Sequence, residues 1–304
     1  MTGPGGAAAR EGQTVEGTSR LARYVNFVKL PHTVFALPFA LTGVVLASRV
    51  RPVTAPMVVW VVLAFTAARF AAMGFNRIAD RHIDARNPRT QMREIPSGAM
   101  SVAEASASVT VASAVFLFAA WRINPLCLAL SPFALAWVLF YSFTKRFTRW
   151  AHLVLGLGLG IAPAGGYLAV TGQWSDPWWL LPALAVAVMT WVGGFDIFYA
   201  LPDTEFDRSL GLHSVPATMG AGRALAVARV LHATTVLALA AAGVGAHAGW
   251  LYFAGVAVAA AILAYEHSLV SAEDQSRLDA AFFGMNGILS VTFFVFVLAE
   301  RVFQ

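Results

Sequence analysis

Three observations predict an all-α polytopic membrane protein. Hydrophobic residues fill 58% of the 304 positions and charged residues only 12%, against about a quarter in ordinary soluble domains. Apolar runs of roughly 20 residues, the length a helix needs to cross the hydrocarbon core, recur along the chain. The breaks between the runs are short and carry turn or polar residues, as in "SRVRPVTAP", "RINP" and "TGQWSDP". Lipid offers no hydrogen-bond partner to irregular backbone, so the runs are expected as helices.

Taken in order, residues 1–19 are rich in Gly, Ala, Thr and charge, and are expected as a disordered tail. They hold no apolar stretch that reads as a signal peptide. A single transmembrane domain is expected over 20–304, with nine spans near 24–48, 56–79, 101–121, 125–144, 150–170, 177–201, 221–246, 249–269 and 280–300. The first follows Arg20 and Arg23 and serves as an uncleaved insertion signal. The fragment "GLGLG" at 156–160 imitates part of a dinucleotide loop, but it follows no strand and lies inside an apolar run. Its small residues read as a close helix-packing surface.

Charge sets the expected orientation. Arg81, Arg86, Arg89, Arg93, Lys145, Arg146, Arg149, Arg208, Arg223 and Arg277 fall in loops on one side, with the N-terminal tail; Arg49, Arg51, Arg122 and Arg301 fall on the other. The positive-inside rule makes the first side cytoplasmic and, with nine spans, the C-terminus external. A net charge of +5 then points to anionic lipid or an anionic ligand rather than nucleic acid. The one cysteine, Cys127, allows no disulfide within the chain, and no His/Cys cluster suggests zinc.

Two acidic clusters stand out. In "FNRIADRHIDARNPRT", Asn76, Asp80 and Asp84 are spaced i, i+4, i+8, so a helix would set them on one face. In "DIFYALPDTEFD", Asp196, Tyr199, Asp203 and Asp207 also share a face, with Pro202 expected to loosen the last turn. Both clusters end a span on the side assigned to the cytoplasm. Facing carboxylate columns repel unless cations lie between them, and oxygen-only ligand sets suit Mg²⁺, which commonly bridges to phosphate. Arg69, one heptad before Asn76, lies deeper on the same face and requires either a structural aspartate or a bound anion. Lys145 and Arg146, after Tyr141 in "YSFTKRFT", taken alone read as interfacial anchors.

These motifs resemble the signatures of the UbiA superfamily of intramembrane prenyltransferases: "NRIADRHID" with "NPRT" and "IPSG" resembles NxxxDxxxD, "DIFYALPDTEFD" resembles DxxYxxxDxxxD, and "YSFTK" resembles the YxxxK element between them. "KLPHTVFALPFAL" and "AFFGMNG" are also similar to family patterns, and the likeness covers nearly the whole chain after residue 20. It is strongest toward 4-hydroxybenzoate polyprenyltransferases and their relatives in menaquinone synthesis by the futalosine route.

The resemblance implies nine helices around a central cavity, two Mg²⁺ ions, a polyprenyl diphosphate donor and a hydroxyaromatic acceptor. By carry-over, Asn76, Asp80 and Asp84 hold one ion, and Asp203 and Asp207 the other. Lys145, with Arg69, Arg81 and Arg146, binds the diphosphate or an acceptor carboxylate, and Tyr141 belongs to the same substrate-binding element. Asp196 orients the phenol or takes the ring proton; Tyr199 steadies the cation or the diphosphate. Haem- or chlorophyll-prenylating enzymes and terpene cyclases would share both motifs. A transporter would also carry intramembrane charge, but needs no doubled acidic column.

Overall fold

The computed structural model describes residues 19–272, 274–275, 277–278 and 284–303, with backbone alone at 30–35. The described residues are all helix and connecting turns. Among the described residues, eight helical segments are long and apolar enough to cross a membrane, so the chain is an integral membrane protein. In chain order the helices are α1 (Arg20–Phe27), α2 (Leu30–Ala47), α3 (Ala55–Ala79), α4 (Arg81–Asp84), α5 (Val102–Ile123), α6 (Pro125–Phe140), α7 (Ala151–Thr171), α8 (Leu180–Ala200), α9 (Thr204–Ser209), α10 (Val215–Met219), α11 (Ala221–Gly245), α12 (Trp250–Ser268) and α13 (Asn286–Phe303). Turns of 3₁₀ helix extend α6 through Tyr141–Arg146 and α8 through Leu201–Asp203. All but Ser19 of the expected tail, and part of "AFFGMNG", lie outside the described residues.

Most expected boundaries hold because the breaks carry their own caps. Ser101 accepts from Glu104 N at 3.1 Å to start α5, and Asn124 accepts from Cys127 N at 2.8 Å to start α6. Gly172 ends α7 with φ 66°, in the left-handed region that favours glycine. The first expected span is corrected: a run over 24–48 is divided at Lys29, which has φ 47° and ψ 56°. The short α1 therefore precedes α2 instead of continuing it, and α2, whose apolar stretch is the shorter Ala36–Ala47, is the one of the nine expected spans not among the eight. Its Tyr24 hydroxyl donates to Glu104 Oε1 at 3.0 Å, which ties it to the start of α5.

The "GLGLG" segment packs as its small residues suggest. A Cβ on Gly156 would lie 2.1 Å from the Met189 carbonyl oxygen, and one on Gly160 2.5 Å from that of Ala185. The two glycines, one turn apart, thus let the backbone of α7 rest on α8. On another side of α7, a Cβ on Gly166 would meet the Ala40 carbonyl oxygen at 2.2 Å, so α2 approaches just as closely. Helices α12 and α13 pack on this α2–α7–α8 unit through Phe39 and Trp191 of α2 and α8, Phe293 of α13 and Tyr252 of α12, and the second acidic motif follows α8 from that core.

Candidate active site

Both acidic motifs sit at helix joints. Helix α3 ends at Ala79, Asp80 leaves helical geometry at φ −96° and ψ 6°, and α4 restarts immediately. Asp80 N still donates to Asn76 O at 2.9 Å, and Asp84 N to Asp80 O at 2.8 Å. The predicted column therefore survives the interruption. At the second motif, Pro202 lies in the 3₁₀ turn between α8 and α9, the loosening its ring imposes.

The joints meet around a polar cavity of about 220 Å³ lined by Asp80, Asp84, Asp196, Asp203 and Asp207, with Asn76, Tyr141, Lys145, Arg146, Tyr199 and Arg69. Eleven of the twelve residues expected at the site are thus brought together. Arg81 is the exception: its guanidinium turns back to donate to Ile78 O at 2.8 Å, and it does not line the cavity. It caps the end of α3, as a basic residue in a last turn does.

The carboxylates are held by cations. Arg93 donates to Asp84 Oδ1 at 2.7 Å, Arg146 to Asp80 Oδ1 at 3.0 Å, and Arg89 to Asp203 Oδ2 at 2.5 Å. Asn76 donates to Asp80 Oδ2 at 2.9 Å, and Asn87 to Asp203 Oδ1 at 3.0 Å. Burial, and then neighbouring Asp84, push the Asp80 carboxyl up to about 6, with Arg146 opposing. The Arg89 guanidinium stacks 4.5 Å from the Tyr199 ring centroid, and that face of the ring holds the arginine beside Asp203.

Several cavity residues carry no expected role. Sequence reading treats Arg89 and Arg93 as loop charges that orient the chain, whereas the structure turns both inward. A signal was available: the "NPRT" turn places Asn87 and Arg89 two apart, and Asn87 Oδ1 accepts from Arg89 N at 2.9 Å. Lys29 also lines the cavity, brought there by the left-handed turn before α2. Trp191 and Asn286 line another wall, joined by a 2.7 Å bond from the indole N–H to Asn286 Oδ1. His152 sits behind Asp196, its Nδ1 2.7 Å from Oδ2. Nothing in its sequence setting, the first turn of an apolar helix, announces that contact.

A second cavity, of about 540 Å³, adjoins the first. Its lining is almost wholly apolar, from α3, α5, α6, α7 and α8, and it shares Arg69, Met73, Asn76, Tyr141, Leu155 and Leu159 with the polar one. Along α3 it runs from Asn76 to Val61, roughly 22 Å at the rise of an α-helix. Charged head space and long apolar tail space therefore meet at Arg69 and Tyr141.

A model of the UbiA prenyltransferase family matches residues 36–293. The chain belongs to the UbiA prenyltransferase family. This UbiA protein is similar to the 4-hydroxybenzoate octaprenyltransferase of Methylobacillus flagellatus, 32% identical over 249 residues and 82% of each chain. The enzyme of that description from Nitrosospira multiformis is 28% identical over 92% of this chain and 96% of its own. Among solved structures, the apo UbiA homolog from Aeropyrum pernix K1 matches with a TM-score of 0.81 and 32% identity, over 88% of this chain and 98% of that one. A UbiA homolog from Archaeoglobus fulgidus, solved with GPP and Mg²⁺, shares the fold with a TM-score of 0.71 at 20% identity, covering 92% and 99%. The chain is thus a UbiA-family prenyltransferase, and its joined cavities are the candidate site of transfer.

Proposed function

We propose that this prenyltransferase moves a polyprenyl group from a polyprenyl diphosphate to a hydroxyaromatic acid of 4-hydroxybenzoate or dihydroxynaphthoate type, in quinone biosynthesis. The observation that carries the reading is the juxtaposition itself: a cavity rich in cations and carboxylates shares a wall, at Arg69, Asn76 and Tyr141, with an apolar one roughly 22 Å long. An amphiphile with an anionic head and a long hydrocarbon tail fits both parts at once. The naming of the relatives as 4-hydroxybenzoate octaprenyltransferases supports the acceptor class.

The donor set fits two Mg²⁺ ions. It is oxygen only, and Asp84 Oδ2 and Asp207 Oδ2 are buried with no hydrogen-bond partner. An oxygen-only set suits Mg²⁺, which takes one or two carboxylates and completes its shell with water and substrate phosphate. Asn76, Asp80 and Asp84 would hold one ion, and Asp203 and Asp207 the other. Bound Mg²⁺ supplies charge neutralisation of the diphosphate leaving group.

The chain's own residues do the rest. Seven cations line the polar cavity against five carboxylates, so the site attracts an anionic head before any metal is counted. Lys145 and Arg146 meet the diphosphate as the bond between the prenyl C1 and oxygen breaks and the electron pair leaves with the diphosphate. Apolar walls keep water from the allylic cation. The ring carbon ortho to the acceptor hydroxyl bonds to C1, and the ring proton passes to Asp196, the carboxylate deepest in the second motif. Arg69 has no ion-pair partner among the described residues, and its Nε is buried without a hydrogen bond. Those facts favour an anionic substrate group over a structural aspartate, and we assign it the acceptor carboxylate. The basic loops at this end of the bundle support a cytoplasmic orientation for the site.

The test is an acceptor screen of purified protein with Mg²⁺ and a long-chain prenyl diphosphate. Prenylated benzoate or naphthoate is expected, lost in excess chelator and restored by Mg²⁺, with Mn²⁺ a partial substitute. Turnover undiminished by chelator, or cyclised isoprenoid formed without an aromatic acceptor, would overturn the reading.

A further inference from the structure

We infer that His152 is a positioning residue for the transfer reaction: it fixes Asp196 as an oriented hydrogen-bond acceptor and locks the loop after the second acidic motif against α7. This rests on the proposed role of Asp196 in taking the ring proton. His152 lies in the first turn of α7 and is 1% exposed. Its Nδ1 is 2.7 Å from Asp196 Oδ2, and its Nε2 is 3.3 Å from the backbone nitrogen of Val215. An amide N–H can only donate, so Nε2 must accept, and the ring's single proton is left on Nδ1. Nδ1–H therefore donates to Asp196. One carboxylate oxygen is tied, and the side chain, partly open to the cavity, is held in a single orientation.

The same ring completes the start of α10. Ser214 Oγ accepts from Ala217 N at 3.2 Å, Pro216 has no N–H, and Val215 N–H has His152. Every donor of that first turn is thereby satisfied. Two residues before Val215, His213 N donates to Lys145 O at 2.7 Å, so the loop that His152 secures also carries the backbone of the YxxxK lysine. The ring itself is buried and both its nitrogens are engaged by protein groups, so its work is to aim Asp196.

Asparagine and glutamine separate the two contacts. Asn places an N–H donor near Nδ1 and loses the Val215 contact; Gln places a carbonyl near Nε2 and loses the donor to Asp196. The experiment measures steady-state kinetics with Mg²⁺, geranyl diphosphate, and 4-hydroxybenzoate or 1,4-dihydroxy-2-naphthoate as acceptor, with a melting curve in detergent. It compares His152→Gln, His152→Asn and Asp196→Asn, together with Mg²⁺-dependent binding of inorganic pyrophosphate. Loss of a general base lowers rate by about 10²–10⁴, so Asp196→Asn should fall into that range. His152→Gln should lose about 10–100-fold in kcat, with pyrophosphate affinity within about twofold and a nearly unchanged melt. His152→Asn should recover kcat to within about threefold of the parent while melting lower. Full kcat in His152→Gln beside an inactive Asp196→Asn would overturn the positioning role. So would losses in both His152 variants that merely track the melt. Full activity in Asp196→Asn would instead overturn the underlying assignment of the base, and the inference with it.

Discussion

Arg69 shows how a single buried charge is read. A guanidinium inside a membrane bundle is costly unless an anion meets it, and no carboxylate among the described residues does so. Arg69→Ala is expected to raise the acceptor KM at least about tenfold, some 1.4 kcal/mol of lost binding, with the donor KM within about twofold. Steady-state kinetics against both substrates decides it, and a raised donor KM with the acceptor KM unchanged would move Arg69 to the diphosphate. Asp80 makes a different statement. Its carboxyl is raised to about 6 by burial and by Asp84, and a metal must displace that proton before binding. Once pyrophosphate's own protonation is allowed for, Mg²⁺-dependent pyrophosphate affinity should therefore fall as pH drops through about 6. The slope approaches tenfold per unit where one proton is displaced, and a flat profile from pH 5 to 8 would refute the assignment. Asp203→Ala is expected to cost at least about 10² in kcat while the protein still inserts. It frees Arg89 and Asn87 as well as removing a donor to the metal, so Asp203→Asn, which keeps the shape, should be equally inactive. An active Asn variant would mean that the residue only props the loop.

At the scale of elements, the site depends on two interrupted helices and one tightly packed pair. The break after Ala79 and the 3₁₀ turn at Pro202 turn acidic side chains inward at the end of the bundle, and the close contact of α7 with α8 holds the second joint in place. That contact makes a sharp forecast about glycines five residues apart on one helix. Gly160→Ala would place a methyl group 2.5 Å from the Ala185 carbonyl oxygen, and the backbone there cannot give way cheaply. A loss of about 1–3 kcal/mol is expected, read as a lower melting temperature in detergent. A Cβ on Gly165 meets nothing within 4 Å, so Gly165→Ala should fall within about 0.5 kcal/mol of the parent. Equal melts for the two variants would show that α7 and α8 are not held this closely.

At the scale of the molecule, function comes from joining two spaces that suit opposite chemistries. Gly165 lies on the wall of the apolar cavity, six residues along α7 from Leu159, where that wall still borders the polar cavity, or about 9 Å. A very short tail ends before that depth and a long one passes it. Gly165→Phe should therefore cut kcat/KM for a long-chain prenyl diphosphate while leaving dimethylallyl diphosphate within about threefold. Equal losses for both donors would mean that the tail does not follow this cavity.

Much of the architecture was legible in the chain because it follows from local rules. Apolar run length, caps such as Ser101 and Asn124, and the small-residue face of α7 each act within a few residues, so the spans and most of their ends can be read directly. The acidic positions were legible for the same reason, since helical spacing sets Asn76, Asp80 and Asp84 on one face whatever the rest of the chain does. Tertiary structure alone decided which charges pair. Arg81 sits beside Asp80 in sequence yet turns away, while Arg89 and Arg93, which read as loop charges, close on Asp203 and Asp84. It alone set His152 of α7 against Asp196 of α8 and Val215 of α10. Such contacts cross 44 and 63 positions of chain, and they depend on how far and at what angle helices approach. That is a property of the whole packed bundle, which no window of sequence contains.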